Sequence, residues 1–159
     1  MKIYDCFMFF DEEMLLDLRL NMMNKHVDKF VITESTKMHS GKSKKLLFDI
    51  NKFSQFKDKI NYIVVDNPPA NIIKINQDDS LDVQQSKMII NAKAREMEQI
   101  NKTQDGIVDA DPNDIIIVSD LDEIPNLEKI NFNEVNQKLI FFKQKMFYYK
   151  LNLFYKDLP

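Results

Sequence analysis

Residues 115–125 read IIIVSDLDEIP. Four apolar, β-favouring side chains in succession predict a strand over 114–118 that lies centrally in a sheet, since an element covered on both faces has no polar position to alternate with. The strand delivers Asp120, Asp122 and Glu123 before Ile124 and Pro125 close the stretch. In extended geometry Asp120 and Asp122 point one way and Leu121 points back toward the core. The carboxyl edge of an open α/β sheet is where ligands bind. Two carboxylates about 5 Å apart repel by roughly 3 kcal/mol at an effective dielectric near 20. A divalent cation offsets that repulsion directly, because Mg²⁺ or Mn²⁺ takes one or two carboxylates and completes its shell with water and substrate phosphates. The same acids also serve as a solvated cap for a following helix, and residue types alone leave both readings open.

Upstream, KIYDCFMFF at 2–10 predicts a buried strand that stops at Asp11-Glu12-Glu13. Asp11 is expected to cap a helix running to about Lys25, with Met14, Leu15, Leu18 and Met22 at helical spacing. DKFVITES at 28–35 predicts a second strand with Glu34 near its carboxyl end. The polar, basic stretch TKMHSGKSKK at 36–45 predicts a loop, followed by a short helix over 52–58 and a third strand over 60–65 that ends at Pro68-Pro69. Residues 67–80 read as irregular. A long helix is expected over 82–102, carrying Val83, Met88, Ile89, Ala92, Met97 and Ile100 in loose register, with a turn at Asp105-Gly106. Beyond Pro125 the pattern predicts a brief helix over 127–136 and one or two aromatic-rich strands over 138–154. Strands alternating with helices in this way predict an α/β fold with a mostly parallel sheet.

Composition narrows the function. One domain spanning 1–159 is the prior for this length. Only two glycines leave no room for a Gly-rich phosphate loop. The lone Cys6 excludes an internal disulfide or thiolate cluster and reads as a small core residue, suited to a reducing compartment. Net charge is −3, from 22 basic and 25 acidic residues spread along the chain, which argues against a nucleic-acid partner. Nothing predicts a transmembrane segment or a cleaved leader, so a cytoplasmic location is expected. The acids at 11–13 would repel a diphosphate at the first helix start, so a phosphorylated ligand must be neutralised elsewhere, and the acids at 120 and 122 with a metal are the place for it.

Four stretches, IYDCFMFFDEEMLLDLRL at 3–20, DKFVITESTKMHSGKSKKLLF at 28–48, IIIVSDLDEIP at 115–125 and KMFYYKLN at 145–152, together resemble glycosyltransferase family 17. That family includes the β-1,4-mannosyl-glycoprotein 4-β-N-acetylglucosaminyltransferases of N-linked glycosylation. The resemblance implies a GT-A-like, Rossmann-like nucleotide-sugar fold, UDP-N-acetylglucosamine as donor, a glycan hydroxyl as acceptor, and Mn²⁺ or Mg²⁺ as cofactor. Carried over by position, Asp120 and Asp122 match the Asp-x-Asp motif, with Asp122 as metal ligand and Asp120 near the metal or the donor ribose. Glu123 belongs to the same motif. Glu34 is placed to meet the nucleoside or to be a solvated strand end. Arg95, on the long helix, is placed to reach a phosphate or an inner carboxylate, or to lie on the surface. Lys42, with His39, Gly41 and Lys45 in the same loop, can approach the diphosphate as a point charge. His26 is given no chemistry, and Arg19, mid-helix, reads equally as a surface ion-pair residue.

Members of the family are usually longer, so the acceptor half is expected to be missing, and no catalytic base can be named. Self-association or pairing with such a missing half is a further expectation. Two other readings compete. A haloacid-dehalogenase type of phosphatase also places Asp-x-Asp after an apolar strand, but there the motif opens the fold, and here only 37 residues follow Asp122. A non-catalytic module that binds a nucleotide sugar or a partner is the other.

Overall fold

The computed structural model describes residues 1–135, 137–147 and 153–155. Its framework is a four-stranded, all-parallel sheet in the order β3-β2-β1-β4. The strands are β1 (Ile3–Met8), β2 (Lys29–Ser35), β3 (Ile60–Val65) and β4 (Ile115–Val118), and the helices are α1 (Glu13–Met23) and α2 (Leu81–Asn101). The fold is α/β and Rossmann-like, as the alternation of strands and helices predicts.

The centre of the sheet is β1 and β2, whose residues are almost all buried. The strand expected to be central, β4, pairs among the described residues only with β1 and lies there at the sheet's edge. Its Ile116 and Val118 are 37% and 54% exposed, while Ile117 is buried. A run of apolar residues marks strand propensity, but coverage depends on which neighbours arrive, and among the described residues Ile116 and Val118 of β4 stay exposed.

One face of the sheet carries α1. Asp5 and Phe7, two residues apart on β1, both meet Arg19 of that helix, through hydrogen bonds and a guanidinium–ring contact of 4.6 Å. The buried stripe of α1 is Leu16, Arg19, Leu20 and Met23. The stripe expected from sequence contains Met14, Leu18 and Met22, all of which are exposed. Both stripes are apolar enough to bury; what turns the helix is the buried Asp5 carboxylate, which requires a cation. The expected cap also differs: Glu12, not Asp11, precedes the helix, and its carboxylate accepts the backbone N–H groups of Phe10 and Asp11 at 3.1 Å.

The other face carries α2 and the 3-10 turn Lys102–Gly106. Gly106 sits so close to β2 that a Cβ there would lie 2.3 Å from Val31 Cγ1. Asn61 Nδ2 of β3 donates to Gly106 O at 2.7 Å, and Gln99 Nε2 of α2 donates to Thr33 O at 2.9 Å. The buried residues of α2 are therefore polar, Asn91 and Gln99, while Val83, Met88, Ile89 and Met97 are exposed. Asn91 explains part of this, since its amide bonds both N–H and C=O of Ile73 and pins the irregular 67–80 segment. The short helix expected over 52–58 is a 3-10 segment, Ile50–Lys59, that buries Phe53 and Phe56.

The chain divides into two compact units, Met1–Asp122 and Glu123–Pro159. In the second, the helix expected over 127–136 is replaced by two 3-10 turns, Leu127–Lys129 and Phe132–Glu134. Asn126 and Asn131 each accept a backbone N–H two residues on, which breaks the run into separate turns. Of the strands expected over 138–154, the described residues show one antiparallel bridge, Phe147 with Phe154; the stretch 148–152 of that expectation lies outside the described residues.

Candidate functional site

Parallel strands bring all their carboxyl ends to one rim. From β1 the chain moves outward to β2 and β3, and then returns to the other side of β1 to lay down β4. The strand order thus reverses between β1 and β4, and loops leaving such a reversal diverge and open a crevice. A cavity of about 560 Å³ opens there, a size suited to a small-molecule ligand. One wall is Met8, Phe9 and Phe10, leaving β1; another is Lys37, Met38, His39 and Lys44, following β2; a third is Asp120, Leu121 and Asp122, following β4.

The acid wall is held from beneath by Arg19. Its side chain and that of Asp5 are completely buried, and Nε and Nη2 grip the Asp5 carboxylate at 2.9 and 2.7 Å. The same guanidinium donates to Ser119 Oγ at 2.7 Å, to Asp120 O at 2.6 Å and to Leu121 O at 3.2 Å. Leu121 is buried, whereas Asp120 and Asp122 are exposed and face the same cavity. Both acids are hard oxygen donors suited to Mg²⁺ or Mn²⁺. Among the described residues no group of three or more His, Cys, Asp or Glu side chains is assembled for a metal, so a cation here would draw its remaining ligands from phosphate and water.

The basic wall is a small hairpin. Lys37 bridges Ser43, Met38 N donates to Lys42 O, and the turn closes at Gly41 with φ of 90°. Positive φ favours glycine, and its missing Cβ also makes room for Arg95, whose Nη2 would lie 2.7 Å from that atom. Arg95 Nη1 donates to His39 O at 2.9 Å. Glu34, fully buried, ties down the far end of the hairpin. It pairs with Lys44 Nζ, takes Tyr62 Oη at 2.7 Å, and accepts Leu47 N and Phe48 N at 2.8 and 3.1 Å. Burial by itself would raise the Glu34 carboxyl, but the bonds from Lys44, Tyr62 and the two backbone groups outweigh it and hold the carboxyl below its ordinary range. Burial, then the hydrogen bond to Glu34 and that carboxylate's charge, push the Tyr62 hydroxyl well above its ordinary value.

Several expected roles change on this geometry. Glu34 is neither a solvated strand end nor turned outward; its oxygens are engaged by the segment 44–48. Arg95 meets a hairpin carbonyl rather than an inner carboxylate, because Gly41 opens the space for it. Lys42 is exposed and does not line the cavity; Lys37, His39 and Lys44 do. Arg19, read as a surface residue, is the most deeply engaged cation among the described residues. A signal for it existed, since an aspartate inside the apolar run IYDCFM needs a buried cation, and Arg19 is one of only two arginines.

The sequence model of glycosyltransferase family 17 matches residues 1–157 of the 159. The chain is a member of glycosyltransferase family 17. Searches of curated proteins and of solved structures return no match. As a family 17 protein it is a glycosyltransferase whose substrates are a sugar donor and an acceptor, which removes the phosphatase reading. No described helix is long and apolar enough to cross a membrane.

Proposed function

We propose that this family 17 chain binds a nucleoside-diphosphate sugar, UDP-N-acetylglucosamine, in the cavity at the sheet rim and passes the sugar to a glycan hydroxyl with inversion. The observation that carries the reading is the meeting of Asp120 and Asp122 with Lys37, His39 and Lys44 in one cavity. A diphosphate needs cationic neutralisation, and the start of α1 does not offer it, since the acids Asp11, Glu12 and Glu13 crowd that end. The basic hairpin supplies positive charge from one side. Asp122, with Asp120, would hold Mn²⁺ or Mg²⁺ on the other.

When bound, that cation supplies charge neutralisation to the departing diphosphate. The chain's own residues bind and orient. Phe10, 41% exposed at the cavity with Lys44 Nζ 5.2 Å from its ring centre, offers an aromatic surface on which a base can stack. Leu121 is buried while lining the same cavity, between the two exposed acids in the chain.

The test is a calorimetric titration of UDP-N-acetylglucosamine with and without Mn²⁺, in the wild type and in Asp122→Ala. The wild type is expected to bind only with the metal, and the variant to lose at least tenfold in affinity. Equal affinity of the two proteins would remove the metal-site reading.

A further inference from the structure

The ladder that fixes β4 ends just where the acids begin. Ser119 N donates to Cys6 O at 3.3 Å as the chain leaves β4, and β4 itself is four residues long and, among the described residues, paired on one side only. A segment leaving a short edge strand belongs to the part of a protein that opens most easily. A binding constellation, in contrast, must hold its groups within about half an ångström of the working geometry.

We infer that Arg19 is the positioning residue of the acid loop, a role that rests on the reading of Asp120 and Asp122 as the metal-binding pair. An ion pair made only for the core would be complete with Asp5. Here the bidentate grip on Asp5 fixes the plane of the guanidinium, and the ring of Phe7 backs it at 4.6 Å. Its remaining N–H groups then reach the loop in sequence, Ser119 Oγ, Asp120 O and Leu121 O. Holding two successive carbonyls on one nitrogen sets the backbone of residues 120 and 121. That in turn sets the directions in which the side chains of Asp120 and Asp122 leave the chain. The planar fork of arginine can do this; a lysine ammonium, a point charge on a flexible stem, keeps the ion pair without the fork.

The test compares Arg19→Lys with Leu16→Ala, a truncation in the same buried stripe of α1, after matching their losses in thermal midpoint by choice of temperature. Amide hydrogen exchange of a peptide covering 119–124 and Mn²⁺ affinity are read in each. Arg19→Lys is expected to speed exchange in that peptide, with β1 and β2 as protected as in Leu16→Ala, and to weaken Mn²⁺ binding by about ten- to a hundredfold. Leu16→Ala is expected to leave both at wild-type values. Unchanged exchange in Arg19→Lys, or equal loosening of the loop in Leu16→Ala, overturns the inference. Should Arg19→Lys fail to fold, Ser119→Ala, which removes one acceptor and leaves the ion pair, must still speed exchange at 120–122, and no change there overturns it as well. If the wild type binds no Mn²⁺, the donor-site reading fails, while the exchange data still decide whether Arg19 fixes the loop.

Discussion

A buried carboxylate is tolerated only when its oxygens are matched by donors, and Glu34 meets that condition with Lys44, Tyr62 and two backbone N–H groups. The consequence is a dependence on acid. The folded carboxyl lies below its ordinary value, so in the window from about pH 4.3 downward the unfolded chain binds the proton first and stability falls with pH. Above that window the contribution is complete. Glu34→Gln is expected to lower stability near neutrality by roughly 1–3 kcal/mol, from the loss of charge-assisted hydrogen bonds. Urea midpoints for the two proteins should converge as the pH is taken down through that range; a gap that stays constant with pH would contradict the assignment. Glu34 was not legible as a structural residue in the sequence, and for Arg19 the one signal was Asp5 inside its apolar run. Each is a charged residue in an apolar setting, and that pattern is shared by buried pairs and by ligand sites alike.

At the scale of elements, strand positions were largely readable: β2 and β3 fall at Lys29–Ser35 and Ile60–Val65, within a residue of where their apolar runs begin and end. Facing was not. α1 buries the stripe containing Arg19, and α2 buries Asn91 and Gln99, because specific polar bonds outrank a difference of a few apolar side chains. The chain's two glycines are equally informative, as each stands where a larger residue would collide: Gly41 against Arg95 and Gly106 against Val31. Gly106→Ala is expected to cost about 1–3 kcal/mol by overpacking the turn against β2. Adding Val31→Ala should return part of that loss, so the double variant is expected to be more stable than the sum of the single changes predicts, by about 0.5–3 kcal/mol. Denaturant unfolding of the four proteins closes the cycle, and strict additivity would show that the close approach is not a tight contact.

Taken as a whole, the molecule concentrates its chemistry at one rim because every strand of the sheet runs the same way. The parallel sheet followed from alternating strand and helix patterns. The strand order did not, since nothing local in IIIV distinguishes an edge from a centre. The acids at 120 and 122 were legible from their place after a strand, whereas Lys37, Lys44 and Phe10 were not, because their approach to the cavity depends on the hairpin and on how β1 ends. Within this arrangement Cys6, the chain's single thiol, is fully buried and bonded into the sheet between β2 and β4. Burial, with the neighbouring Asp5 charge, pushes the thiol up to about 12, and it is the thiolate that reacts with electrophiles. Natural sequence has therefore left the protein with a built-in stopwatch. At pH 8 an alkylating reagent should consume it only as fast as the middle of the sheet comes apart, so labelling half-lives measured across urea should run parallel to the unfolding curve. Rapid labelling of the native protein would mean that β1 opens without the rest.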